Sequence, residues 1–74
     1  MKINVYVEFM LFQNKDKLNV DLEEGSNIIA LLETFQIAEK ANDYFYIVNG
    51  INKIKSYILQ DHDHIKIFTV ITGG

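Results

Sequence analysis

The residues with the clearest chemical potential close the sequence: Thr72-Gly73-Gly74. Two consecutive glycines after an apolar, strand-like run are hard to explain by structure alone. Glycine weakens strands and loses the most entropy on ordering. One reading is a frayed tail without a role. The other is access: lacking side chains, these residues can thread a narrow channel and present the Gly74 α-carboxylate to another protein's active site. A carboxylate is a poor electrophile, but an acyl-adenylate made from it is open to attack by sulfur or by an amine.

A second group of chemistry-bearing residues is the turn Asp61-His62-Asp63-His64. On a strand, His-x-His points both rings the same way, which invites a metal reading. Two imidazoles without further ligands make an incomplete site, so the expectation is a solvated turn and no metal. The two aspartates can steer docking to a basic partner, or can be a plain solvated charge cluster. No Ser-His-Asp set or carboxylate pair stands out, and the acids are spread like surface charges. An intrinsic hydrolase is not expected.

Composition narrows the classes further. The sequence has 74 residues, 49% apolar and 23% charged, with net charge −3 and no cysteine, proline or tryptophan. It also has no arginine. This length fits one domain, residues 1–74. Without cysteine there is no disulfide framework, thiolate metal site, iron–sulfur cluster or cysteine nucleophile, and a cytoplasmic setting is the default. The acidic balance and missing arginines argue against a nucleic-acid partner. No apolar run reaches the roughly 18 residues of a membrane span, and no signal peptide is visible at the start. So small a chain has little room for a private active site, which favours a carrier or binding module.

The elements that must position these residues follow from periodicity. Ile3, Val5 and Val7 alternate with Lys2, Asn4, Tyr6 and Glu8, the signature of a strand with one buried face. After a polar turn over 13–17, Leu18, Val20 and Leu22 alternate again, giving a hairpin. Gly25-Ser26 breaks the pattern; Ser26 can cap a helix, with Asn27 competing for the role. Ile28, Leu31, Leu32 and Phe35 form the apolar stripe of a helix over 27–35. Ile37 and Ala41 fit contacts of a short helical turn or loop. Residues 44–48 read as a strand, with Tyr44 and Tyr46 as packing residues. Asn49-Gly50 is a type I′ hairpin signal, and 51–54 would be a short return strand. The last strand spans 65–71, with Ile65, Ile67, Thr69 and Ile71 on one face and Lys66, Phe68 and Val70 on the other. One helix must then cover one face of a mixed sheet, an α+β two-layer domain. If the helix crosses over from the first hairpin, the first and last strands lie side by side, which is the β-grasp.

The helix can cover only one face. Phe68 and Val70, with Tyr6 on the neighbouring strand, are therefore expected on an open face. Scattered surface apolar residues are ordinary, but aromatic anchors also suit a docking face.

On these residues the chain resembles the ThiS/MoaD family of ubiquitin-like sulfur carriers. The similarity lies in I-F-T-V-I-T-G-G after Q-D-H-D-H-I, the Asn49-Gly50 turn, Gly25-Ser26 before the helix and the K-I-N-V-Y-V start. It implies a β-grasp (ubiquitin-like) fold with a four- to five-stranded sheet, and a flexible tail at 72–74 entering a partner's active site. It implies no bound cofactor. ATP would be consumed by a ubiquitin-activating-like enzyme that adenylates Gly74, and a sulfur donor protein would complete conversion to a thiocarboxylate. Tyr6, Phe68 and Val70 would meet partners. The F-x-V-I-x-G-G ending, with Thr69-Val70 where MoaD often has two prolines, leans toward thiazole synthase and thiamine biosynthesis. The alternative partner is the molybdopterin synthase large subunit. The resemblance makes the chain a cosubstrate rather than an enzyme. His62 replaces the family's turn glycine, which would carry a modest strain if that position has positive φ. Other classes stay open: a modifier joining Gly74 to lysine, or a pure interaction or RNA-binding β-grasp module.

Overall fold

The structure is a computed structural model and describes residues 1–10 and 16–70. Its elements are β1 (Lys2–Met10), β2 (Lys17–Glu23), α1 (Ile28–Thr34), a 3-10 helix (Ala38–Asp43), β3 (Tyr44–Val48), β4 (Ile51–Lys53) and β5 (His64–Thr69). The five strands make one sheet in the order β2-β1-β5-β3-β4. β1 and β5 are parallel, with Tyr6 opposite His64 and Met10 opposite Phe68; every other neighbouring pair is antiparallel. The expected β-grasp arrangement, with the first and last strands adjacent, is therefore the observed one.

Alternation explains the layers. Ile3, Val5, Val7 and Phe9 of β1 are buried together with Val20 and Leu22 of β2, Tyr46 and Val48 of β3, and Ile65 and Ile67 of β5. Ile28, Leu31 and Leu32 of α1 close the core from above. Burying such side chains stabilises the fold by about 1.5–3 kcal/mol each. Phe9 meets Phe35 edge to face, so the hydrophobic contact extends from the strand to the helix end.

A helix of seven residues needs its ends satisfied. Asn27, not Ser26, is the cap: its Oδ1 accepts from the Ala30 amide at 2.9 Å. Ser26 instead lends its carbonyl to the Leu59 amide. The Ile28 and Ile29 amides donate to the Tyr57 and Lys55 carbonyls. The chain after β4 thus returns beneath the helix start, and carries Leu59 into the core. At the other end Gln36 takes φ 62°. Its amide donates to Glu33 and that of Ile37 to Leu32, a Schellman closure without the usual glycine.

Within 36–43, where the sequence leaves a helical turn or a loop open, Ala38–Asp43 forms the 3-10 helix with Ala41 buried. The return strand ends at Lys53 rather than 54, and β5 begins one residue earlier than expected. Most of the 13–17 turn lies outside the described residues, but the expected hairpin is present in the β1–β2 pairing from Lys2↔Glu23 to Glu8↔Lys17.

Candidate functional site

β5 connects two dissimilar places. Its N-terminal end leaves the turn Asp61–Asp63, where His62 has φ 69°, in the left-handed region that favours glycine. The His62 ring is solvent-exposed beside Asp61, Nδ1 to Oδ2 at 3.1 Å. Asp61 also accepts from the Asn4 amide at 2.7 Å, and the His62 amide donates to the Asn4 carbonyl. The turn is thereby fastened to β1.

Asp63 is not a steering charge. It is buried, at 5% exposure. Its carboxylate accepts from Asn49 Nδ2 at 2.8 Å, the Gln60 amide at 2.8 Å and the Tyr57 hydroxyl at 3.3 Å. Burying a carboxylate is tolerable only with such bonds. Burial, the Asp63 charge and this hydrogen bond together raise the Tyr57 hydroxyl above its ordinary pKa. Asn49 is held at φ 52° and Gly50 at φ 84°, the two positive values of a type I′ turn. Asn49 also accepts from the His64 amide at 3.0 Å. One carboxylate thus ties the β3–β4 turn to the start of β5.

The open face of the sheet reads in rows. Tyr6 meets the His64 ring edge to face at 4.7 Å. His64 Nε2 lies 3.0 Å from Glu8 Oε1, with Lys17 Nζ 3.9 Å from the other Glu8 oxygen. His64 is therefore engaged on the sheet rather than free in a solvated turn. Among the described residues no group of three or more metal-ligating side chains gathers. The next pairs are Glu8↔Lys66↔Ile47, and then Met10↔Phe68↔Phe45. Phe45 and Phe68 stack with centroids 4.8 Å apart and planes 6° apart. Phe45 and Val70 are exposed at 38% and 43%, and the Val70 amide donates to the Asp43 carbonyl. The apolar part of this face therefore sits where β5 gives way to residues 71–74.

The structure thus puts Tyr6 and Phe68 on one open face, at opposite ends of the β1–β5 ladder, with Val70 exposed beyond Phe68. Thr72, Gly73 and Gly74 lie outside the described residues. Sequence reasoning placed Glu8 and Lys66 on outward strand faces without giving them a role, and it missed Phe45. Period two in Y-F-Y-I-V already required Phe45 to point away from buried Tyr46, and that was the available signal. Tyr46, as expected, is a packing residue: its hydroxyl donates to the Ala41 carbonyl at 2.7 Å. Burial, helped by neighbouring Tyr44, pushes its pKa up to about 12.

Comparison with solved structures finds this architecture repeatedly. A Haloferax volcanii protein, HVO 2177, aligns with TM-score 0.80 at 12% identity, over 99% of this chain and 88% of that one. A Caldiarchaeum subterraneum ubiquitin aligns with TM-score 0.69 at 11% identity over all of both chains. The fold is ubiquitin-like. A putative molybdopterin converting factor subunit 1 from Pyrococcus furiosus shares it too, with TM-score 0.72 at 21% identity, over 93% of this chain and 99% of that one. Comparisons with protein-family models and with curated proteins find no match. Among the described residues no helix is long and apolar enough to cross a membrane.

Proposed function

We propose that this ubiquitin-like protein is a sulfur carrier whose reactive group is the Gly74 carboxylate. The observation that carries the reading is the open apolar cluster of Phe45, Phe68 and Val70 at the end of β5 that feeds the Thr72-Gly73-Gly74 tail. A partner gripping that cluster is positioned to receive the tail. The partner is a ubiquitin-activating-like enzyme. The carboxylate attacks the α-phosphorus of ATP and pyrophosphate leaves. A sulfur nucleophile from a donor protein then attacks the acyl-adenylate and AMP leaves. With a donor persulfide as the nucleophile, the product is an acyl disulfide; a second thiol of the partners attacks its S–S bond, ends in a disulfide with the donor, and Gly74 leaves as the thiocarboxylate. With no cysteine in the chain, sulfur held in a transferable form sits on the main-chain terminus. The protein is then a cosubstrate, and the catalytic groups belong to its partners.

Incubation with ATP, an activating enzyme and a sulfur source, followed by intact-mass measurement, tests this. The expected product is heavier by the difference between sulfur and oxygen. An unchanged mass with partners that are competent on their own carrier overturns the reading. For the pathway, the F-x-V-I-x-G-G ending supports thiazole synthase as recipient. The Pyrococcus furiosus neighbour, named for molybdopterin conversion, supports a molybdopterin synthase large subunit instead. Stable association with one and not the other separates them. The likeness to a ubiquitin supports a further reading as a modifier, for which peptide mass spectrometry would find Gly74 joined to lysine side chains.

A further inference from the structure

The opposite edge of the sheet has a character of its own. Residues 44–60 contain no acid and two lysines, Lys53 and Lys55, in a chain of net charge −3. The same stretch holds three strongly exposed aliphatic side chains: Ile51 at 59%, Ile54 at 72% and Ile58 at 46%. Neither lysine pairs with a carboxylate among the described residues. Lys53 Nζ lies 4.9 Å above the Tyr57 ring, and Lys55 Nζ bonds Asn42 Oδ1.

β4 is an edge strand whose one neighbour in the sheet is β3. In a two-residue hairpin the residues flanking the turn, Val48 and Ile51, form a hydrogen-bonded pair. Asn52, one position on and opposite Ile47, therefore directs its amide and carbonyl outward. Edge strands with free main-chain groups are templates for adding another strand. Proteins usually blunt them with charge, and here the charge is of one sign. Beside this edge lies a groove of about 290 Å³ between β4 and the 3-10 helix, bordered by Asn42, Tyr44, Asn52, Ile54 and the two lysines.

We propose that β4 (Ile51–Lys53) and the residues Ile54 and Lys55 that follow it bind an extended protein segment in which acidic residues alternate with apolar ones. The segment adds to β4 through the outward main chain of Asn52, as in other β-addition complexes. Its acids lie on the face that Lys53 shares with Ile51, toward Lys53 and Lys55, and its apolar side chains lie on the other face, toward Asn52 and Ile54. Charge complementarity selects an acidic occupant, and the exposed isoleucines select one with apolar side chains rather than a small anion. Phe45 borders both this groove and the face proposed for sulfur transfer, but Lys53, Ile54 and Lys55, which the test below alters, lie outside that face, so either proposal can fail without the other.

The test is an amide-shift titration of the isotope-labelled full chain with a short synthetic peptide alternating valine and glutamate. The expected result is shifts confined to Ile51–Lys55 and the bordering 3-10 helix. The double substitution K53E/K55E should weaken binding about tenfold, with the remaining spectrum unchanged. Ile54→Ser, which keeps both charges, should also weaken it. Three outcomes overturn the proposal: no shifts in this segment at millimolar peptide, an equal response to the peptide with lysine in place of glutamate, or binding to phosphatidylserine vesicles without binding to the peptide.

Discussion

The two ends of β5 are built on opposite principles. At the His64 end, polar groups meet polar groups inside the protein. Asp63 collects three donors, Asn49 both gives and receives, and Asp61 clasps the β1 backbone. At the Phe68 end, apolar groups meet each other and then solvent, with Phe45 stacked on Phe68 and Val70 beyond. The first end fixes where β5 begins and thereby the register of every pair with β1 and β3. The second leaves Phe45 and Val70 exposed to solvent. A strand secured at one end by directional bonds can expose its other end to a partner without losing its place in the sheet.

The sharpest way to break this contrast is Asp63→Ala. Removing the acceptor strands the Asn49, Tyr57 and Gln60 donors, each worth roughly 1 kcal/mol when half-buried, so a loss of about 3 kcal/mol is expected in urea denaturation. Asp63→Asn should cost less. It should also lower the Tyr57 pKa in a spectroscopic titration, since the Asp63 charge and bond contribute to its elevation. A stability change near zero for Asp63→Ala would mean the turn is held by other contacts.

At the other end the expected effect falls on binding. Phe68→Ala should weaken capture by an activating enzyme by about 2 kcal/mol, as a central aromatic anchor does. Its stability cost should stay near 1 kcal/mol, mainly the lost stacking on Phe45. Calorimetric binding and thermal melts on the same variant measure the two quantities. An unfolded variant, or one with unchanged affinity, contradicts the assignment of this end to docking.

Tyr46 tests the core between the ends. Its folded pKa is raised from 10.0 to about 12, so the folded state holds that proton more tightly than the unfolded chain. Its contribution is complete below pH 10 and is lost as pH rises through about 12. Tyr46→Phe should cost about 1 kcal/mol at neutral pH through the lost bond to Ala41. It should also flatten the alkaline decline in stability, read from melts at stepped pH. The smallest effect belongs to His62. Its φ of 69° places a Cβ in the left-handed region, so His62→Gly should stabilise by about 0.5 kcal/mol, strain relief outweighing the freer unfolded glycine.

Much of this arrangement is legible in the sequence, for reasons that can be stated. Strands with one buried face alternate, so Ile3, Val5, Val7 and Ile65, Ile67 announced both the core and its opposite side. Asn49-Gly50 announced its turn because few residues accept positive φ. What was not legible depended on residues distant in sequence. Asn27 displaced Ser26 as cap because the backbone of Ser26 is committed to Leu59, a contact no local pattern reveals. Asp63 looked like one more surface acid. Its burial arises from Asn49 and Tyr57, which only the folded turn brings near. The helix stop at Gln36 gave no glycine to read. The tail, the most informative feature of the sequence, lies outside the described residues, and its chemistry rests on the proposal above.

The parallel pairing of β1 with β5 also has a consequence for synthesis. The two strands of the parallel ladder are the first and the last of the described strands in chain order. β1 cannot find its central neighbour until residues 64–69 have emerged, and such long-range pairing is slow compared with local hairpins. A nascent or truncated chain therefore lacks the middle of its sheet, and with it the aligned cluster at the end of β5. Synthesis through β5 becomes a quality check: a partner of the proposed docking face would meet only chains made through that strand.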